Sequence, residues 1–389
     1  EERLAFYDRF LGPQGRSLDR SVRSRLSLDA ALLERERGNA AGFSERLHQA
    51  TRLDMSNKAA ASLAAQHHAS RSGDPVMIFE RQLVLLNADP LDPHVHMTIA
   101  RLLVAQGSHA ASRRFLTNAV QLFKLETGRA PAEIEETRIA MDWQIDGPQE
   151  ITESLGAVIR DRRTEARSRL ESYRELQLPT DDLPRPEEIR FGLGIDKLRL
   201  LAAHSMDDRE QTRSVLDDIE ATVAQDLQTL GALAQRRGVD VNAVLTEVVN
   251  KVADLQVMRA IVGLEADQIR KDIDTIVENQ PRLAPSFASI EPMALYAEGR
   301  YEEALEASEP FSDSAVIALI RGQILEKLDR REEAIETYSA VARARALDAY
   351  GAFALSRLKS LGAGDRVVTA AGRQMAQVAQ TVPDWIDQM

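Results

Sequence analysis

The chain has 389 residues, of which 44% are hydrophobic and 5% aromatic, and its formal net charge is −12. It contains no cysteine, which excludes disulfides, thiolate catalysis and cysteine-ligated zinc or iron–sulfur centres. The acidic balance disfavours a general nucleic-acid coat, because phosphates repel an acidic surface, but it leaves room for one small DNA-reading element. No apolar run reaches the roughly 18 residues that a membrane-spanning helix needs. The first residue is Glu1, and we expect an upstream segment to have been removed.

Glycines recur in the first third of the chain at the spacing of a helical-hairpin repeat. Gly38, Gly73 and Gly107 lie 35 and 34 residues apart, and each follows one amphipathic segment and precedes another. The pattern predicts a helix, a glycine turn and a second helix in every repeat. With the stretch "EGRYEEALEA" around Gly299, it resembles the tetratricopeptide repeat. That resemblance implies stacked helical hairpins, and we predict a first array over residues 1–147.

The stretch "NADPLDPHVH" is interpreted as a joint between helices. Asp92 before Pro93 is typical of a helix start, since the carboxylate accepts from first-turn amides and proline has no amide to lose there. The preceding Asp-Pro pair ends the previous helix. His94 and His96 are two residues apart, about 200° around a helix axis, and are badly placed to share a metal. A metal or acid–base site is the less favoured alternative.

Residues 70–142 carry a more specific resemblance. The segments "DPLDPHVH", "LLVAQGSHAASRRF" and "ETGRAPAEIEETR" resemble the bacterial transcriptional activator domain, which is itself a tetratricopeptide-like helical domain. The resemblance implies a role in regulation through protein contacts, beside a winged DNA-binding domain. No winged helix is visible in the sequence.

The middle of the chain does not show the repeat pattern. Residues 148–186 are predicted to form a charged connecting helix and a proline-rich linker, and residues 187–280 a bundle or insert of longer helices. "GLGIDK" at 192–197 lacks the spacing of a phosphate loop and is interpreted as a helix start.

Around Gly238 the sequence also resembles a helix-turn-helix, in which Arg236, Arg237 and Lys251 would meet phosphate. The alternative, which we favour, is that Gly238 ends one helix and Asp240 caps the next.

A second tetratricopeptide-like array is predicted over residues 281–389. Gly322, Ala334 and Tyr338 fit the small, small and aromatic spacing of the family, and Asp329 stands where the turn glycine is expected. A degenerate further pair is expected over residues 349–380. The predicted fold class is therefore all-α, an α-solenoid of helical hairpins with a longer-helix middle segment.

The resemblance also implies where partners bind, because the first helix of each pair lines a concave groove in that family. Its register predicts these groove residues: His67, Arg71, His94, Met97, Arg101, Met293, Tyr296 and Gln323. The basic members in an acidic protein suit a carboxylate or an acidic peptide. The alternative is that His67 and His94 are packing residues.

We predict a non-enzymatic adaptor or scaffold that binds a protein or peptide, because no catalytic motif is found. We expect no cofactor and no metal, and nucleic acid is disfavoured as a partner. The alternative is a regulatory module of a bacterial transcription factor. Self-association stays open. A cytoplasmic location is favoured, and the soluble part of a secreted or membrane-anchored protein is the other possibility.

Overall fold

The protein is described from a computed structural model over residues 2–71, 73–128, 130–151, 155, 192–235, 240–263, 266–279 and 288–383. All regular structure in these ranges is helical, so the predicted all-α class is confirmed. The chain forms two compact units. Unit 1 comprises residues 1–131 and 368–389, and unit 2 comprises residues 132–367.

Up to residue 131 the helices are α1 (Glu2–Leu11), α2 (Arg20–Glu36), α3 (Ala40–Leu53), α4 (Lys58–Arg71), α5 (Pro75–Ala88), α6 (Pro93–Ala105) and α7 (His109–Thr127). From residue 132 to 367 they are α8 (Ala132–Asp146), α9 (Gly192–Ser205), α10 (Arg209–Ala234), α11 (Val241–Ile261), α12 (Ala266–Asn279), α13 (Glu291–Ala297), α14 (Tyr301–Ser308), α15 (Ala315–Lys327), α16 (Arg331–Ala344) and α17 (Ala349–Ser360). The last is α18 (Ala370–Gln380).

In unit 1, α2 pairs with α3, α4 with α5, and α6 with α7. The predicted joint is confirmed: α5 ends at Ala88, and the Asp92 carboxylate caps α6 by accepting from the His94 amide at 2.9 Å. Caps of this kind contribute about 1 kcal/mol each. Small and large apolar side chains alternate in the core between the hairpins, where Ala31, Phe43, Leu47 and Ala64 form one buried cluster.

The last helix of the chain belongs to unit 1. Helix α18 packs against α5, α6 and α7, and buries Met375 and Ala379. Arg114 donates to the carbonyls of Ala379 and Val382 at 2.8 and 2.9 Å, which satisfies acceptors at the end of α18. The prediction of a degenerate helical pair over residues 349–380 is therefore wrong. Helix α17 belongs to unit 2, whereas α18 buries its apolar face in unit 1.

In unit 2, the pairs are α9 with α10, α13 with α14, and α15 with α16. The predicted small–aromatic packing is present in the last of these: Tyr338 is fully buried, and a Cβ added at Gly322 would lie 2.5 Å from its ring. The ring therefore occupies the space that a larger side chain at Gly322 would fill. Interdigitation of this kind holds the two helices of a hairpin in register.

Turn residues with left-handed backbone mark the hairpins. Gly107 has φ +79° and Gly299 has φ +80°. Asp329, at the position where a turn glycine was expected, has φ +58°, and Asp207 has φ +57° in the turn between α9 and α10. Aspartate tolerates this conformation better than most residues. The turn at Asp207 shows that the hairpin pattern extends into the middle segment, at a position where the sequence has no glycine.

The limits of the units differ from the predicted domain limits of 147, 186 and 280. Helix α8 belongs to unit 2, where the Gln144 amide donates to the Ala346 carbonyl at 2.8 Å and the Lys359 ammonium to the Gln144 carbonyl at 2.6 Å. Helices α9 and α11 pack on α17 and α13, so the long-helix segment is part of the same unit as the C-terminal hairpins. Most of the predicted connecting segment 148–186 lies outside the described residues.

Candidate partner-binding site

Unit 2 contains an open cavity of about 320 Å³ that adjoins a second one of about 190 Å³. His204, Asp207, Tyr296 and Lys327 line both, which makes them two parts of one depression. We call this depression the unit 2 cavity. Its walls come from the ends of the first helices α9, α13 and α15, from α17, and from the turns and the starts of α10 and α14. First helices are the ones that line the groove in the repeat family that the sequence resembles.

The same position in three hairpins contributes a side chain to the lining of the unit 2 cavity. His204, Tyr296 and Glu326 each lie three residues before a left-handed turn residue, and all three line the cavity. The last turn of each first helix therefore presents an equivalent side chain to the same space. The repeat geometry itself brings together an imidazole, a phenol and a carboxylate that are far apart in the sequence.

His204 is held at the bottom of the cavity by two neighbours. The amide nitrogen of Gln323 lies 2.8 Å from its Nε2, and the ring of Phe353 stacks on the imidazole with centroids 5.6 Å apart and planes 4° apart. Burial, and next the charge of Arg357, lowers the pKa of His204 to about 4. The imidazole is therefore neutral at neutral pH and acts as a hydrogen-bonding and stacking group.

A hydrogen-bonded ion pair forms another part of the cavity wall. The Arg357 guanidinium donates to both oxygens of Glu326, at 2.6 and 3.1 Å, and the Tyr338 hydroxyl donates to the same carboxylate at 2.7 Å. Asp207 adds a longer contact to Arg357 at 3.4 Å. These groups satisfy one another, so this wall is a rigid part of the scaffold.

Other polar groups at the cavity have no partner of their own. Lys327 and Arg209 are exposed at its edge, and neither forms an ion pair or hydrogen bond with the described residues. The hydroxyls of Tyr296 and Tyr301 likewise have no hydrogen bond within the described part of the chain, and the two rings lie 6.0 Å apart. The cavity thus offers two cations and two phenols to a ligand, beside the aromatic surface of Phe353.

The predicted groove residues are distributed between the two units. Tyr296 and Gln323 lie together at the unit 2 cavity, while Met293 is buried in the core beneath it and 2% exposed. In unit 1, Met97 is buried at 4% exposure, whereas Arg71, His94 and Arg101 are exposed and His67 is half-buried. Met97 and Met293 therefore do not present side chains to a groove.

The ring contacts of His67 and His94 agree with the alternative that both are packing residues. His67 makes an edge contact with the ring of Phe43 at 4.8 Å, and His94 makes one with Phe123 at 5.1 Å. The imidazole of His96 is buried, in contrast to that of His94, and its Nε2 lies 2.8 Å from the Pro90 carbonyl oxygen. His94 and His96 thus lie in different surroundings, as their spacing predicted.

The hypothesis that Lys251 contacts phosphate as part of a helix-turn-helix is wrong. Its side chain is fully buried, and its ammonium pairs with Asp226 at 2.8 Å. Asp240 caps α11 as predicted, accepting from the Asn242 amide at 2.9 Å. Arg236 and Arg237 lie outside the described residues. The "GLGIDK" stretch is the first turns of α9, as expected from its missing phosphate-loop spacing.

His204, Phe353 and Arg357 were not among the site residues predicted from the sequence. The signal for His204 was present in "HSMDDR", because an aspartate replaces the turn glycine there as it does at Asp329. Phe353 and Arg357 lie on α17, which was expected to begin a degenerate pair. Within the described ranges, no group of three or more acidic or histidine side chains has the geometry of a metal site. None of the described helices combines the length and apolar character needed to cross a membrane.

The crystal structure of yeast Tom70 is similar at 13% sequence identity, over 92% of this chain and 85% of that chain, with a TM-score of 0.23. No family profile and no curated protein sequence matches the chain. The resemblance of residues 70–142 to the bacterial activator domain therefore has no independent support.

Proposed function

We propose that this protein is a non-enzymatic helical-repeat module that binds a segment of a partner protein in the unit 2 cavity. The observation that carries the proposal is the set of unpaired groups at one open depression. Lys327, Arg209 and the two tyrosine hydroxyls face it without partners in the described chain. A segment with acceptor groups and an apolar side chain would pair with these donors and cover the aromatic surface.

The chemistry of the walls supports binding over catalysis. With its pKa lowered to about 4, His204 is a weak base and carries no imidazolium proton to donate at neutral pH. Burial raises the pKa of Tyr296 to about 12, so its phenol stays protonated and acts as a hydrogen-bond donor. Glu326 is already held by Arg357 and Tyr338. Binding of the partner segment then depends on shape and charge complementarity, with no covalent step.

The test is site-specific photocrosslinking in cells of the source organism. A photoreactive phenylalanine analogue replaces Tyr301, at the edge of the cavity, and in a separate protein it replaces Met55, which is 54% exposed in unit 1. We expect a protein partner to be captured from position 301 and not from position 55. Mass spectrometry of the crosslinked peptide then identifies the bound segment.

Charge variants provide the matched control. Lys327→Glu should remove capture from position 301, because it replaces an unpaired cation at the cavity with an anion. Arg101→Glu changes an exposed cation of unit 1 in the same way and should leave capture unchanged. Equal capture from both positions, no capture, or loss of capture with Arg101→Glu alone would contradict the assignment to this cavity.

A further inference from the structure

A second set of side chains without ion-pair partners in the described part of the chain lies in unit 1, and all six are arginines or histidines. It comprises His48 and Arg52 on α3, His67, His68 and Arg71 on α4, and Arg81 on α5. We call these six residues the His–Arg surface. Only His67 and Arg71 were expected at a binding surface, and the packing of α4 against α3 and α5 adds the others.

The side chains of this surface are close together. The rings of His67 and His68 lie 5.6 Å apart, and His67 is held by its edge contact with Phe43. The imidazole of His68 is close enough to Arg81, His67 and His48 for each to lower its pKa, after the larger effect of burial. Burial and then Arg81 and Arg52 lower the pKa of His48, and burial and then Arg71 lower that of His67.

These side chains are not paired with carboxylates in the described part of the chain. None of the six residues forms an ion pair with any described residue, and no acidic group is among the causes of the three imidazole shifts. On the neighbouring helices, Glu34 is held by Asn39 at 2.9 Å, Glu45 and Glu80 are exposed, and Arg35 of α2 adds a further cation 5.8 Å from the Phe43 ring.

Arg81 contributes a guanidinium group whose hydrogen-bonding capacity is not fully used within the described chain. Its Nε is buried and has no hydrogen-bond acceptor within the described residues, although other parts of the side chain reach the surface. Buried donors are usually satisfied, because a missing hydrogen bond costs about 1 to 3 kcal/mol. Guanidinium groups pair well with carboxylates, which accept two hydrogen bonds in one plane.

We propose that the His–Arg surface binds an acidic polypeptide segment of a partner protein, one that carries several glutamate or aspartate side chains. Carboxylates match the separate cations on α3, α4 and α5. A long nucleic acid fits less well, because it would extend from the basic surface onto the rest of an acidic protein. This site shares no residue with the unit 2 cavity, so each can fail without the other.

Binding of an acidic segment at the His–Arg surface should depend on pH. The three imidazoles are largely neutral at pH 7, because burial and the arginines lower their pKa. Bound carboxylates favour the charged imidazole, so binding takes up protons and tightens as the pH falls. The carboxylates of the peptide stay ionised above about pH 6, since their ordinary pKa is about 4.3.

The test measures binding of a fluorescently labelled hexaglutamate peptide to the full chain. We expect the dissociation constant to fall about tenfold between about pH 8 and about pH 6, which corresponds to an average uptake of about half a proton. Calorimetry in two buffers of different ionisation enthalpy should detect this uptake directly. A structural effect on folding would not produce proton uptake upon binding.

Two pairs of variants complete the test. Arg81→Gln should weaken binding at every pH, and His68→Asn should reduce the pH dependence. Their matched controls are Arg101→Gln and His94→Asn, which change exposed residues of α6 and should leave both quantities unchanged. Circular dichroism checks that each variant is folded. No binding, binding without proton uptake, equal losses in the controls, or tighter binding of a thymidine hexanucleotide than of hexaglutamate would overturn the proposal.

Discussion

Substitution of Gly322 by alanine tests the packing that defines the hairpin of α15 and α16. The added methyl group would lie 2.5, 2.7 and 2.9 Å from three ring carbons of Tyr338, all well inside van der Waals contact. The ring is fully buried, and its hydroxyl is fixed by the hydrogen bond to Glu326. The clash therefore cannot be relieved by a small movement of a flexible side chain.

The expected change in the free energy of unfolding of Gly322→Ala is the sum of three contributions of opposite sign. Forcing a methyl group into a packed core costs about 1 to 3 kcal/mol. If the ring shifts, the hydrogen bond from Tyr338 to the Glu326 carboxylate is lost as well, which costs about 1.5 to 3 kcal/mol for a charged acceptor. Alanine in place of glycine inside a helix gains about 1 kcal/mol. Because the ring must shift, these contributions add to an expected net loss of about 1.5 to 5 kcal/mol in the free energy of unfolding of unit 2.

The assay is urea denaturation followed by tryptophan fluorescence. A Trp385→Phe background leaves Trp143, buried in unit 2, as the only tryptophan. Gly231→Ala is the control, because a Cβ at that exposed position of α10 meets no atom within 4 Å. It should stabilise the protein by up to about 1 kcal/mol. If Gly322→Ala were as stable as the parent, or if both variants lost the same stability, the small–aromatic packing would not be what holds the hairpin.

Four further predictions follow from the structure. Gly107 has φ +79°, so Gly107→Ala should cost more than the roughly 1 kcal/mol helix difference, measured by thermal denaturation, and a neutral result would contradict the turn. Burial raises the pKa of Glu136 to about 7, so the folded state binds its proton more tightly than the unfolded chain and stability falls as pH rises from about 4.5 to about 7. Glu136→Gln should remove that part of the pH dependence in a series of urea midpoints. His204, with its pKa lowered to about 4, should stay neutral at about pH 5 in an NMR titration, and its contribution to stability should decline as pH falls below about 6.5. Removal of residues 368–389 should destabilise unit 1, because Met375 and the acceptors of Arg114 are lost, and limited proteolysis of α5 to α7 would report it.

Much of the fold could be predicted because its signals are local. Capping aspartates such as Asp92 and Asp240, the left-handed turn at Gly107, and the spacing of Gly322 and Tyr338 each act within one or two helices. Their effects are readable from a short window of sequence. The candidate site was predicted in part for the same reason, since Tyr296 and Gln323 follow from the register of their own hairpins.

The rest depends on contacts between helices that are distant in sequence. His204 reaches Gln323 across 119 residues, and the hydroxyl of Ser108 reaches the Gly372 carbonyl across 264. The amphipathic pattern of α18 indicates that one face is buried, but it does not indicate which helices cover that face. The sequence likewise does not indicate that Lys251 is buried and paired with Asp226. The sequence by itself determined the hairpins, their caps and their turns, because these are set by local backbone chemistry. Only the tertiary structure decided which unit each helix joins, which side chains share the unit 2 cavity and which cations are left unpaired at the His–Arg surface, because packing between remote segments sets all three.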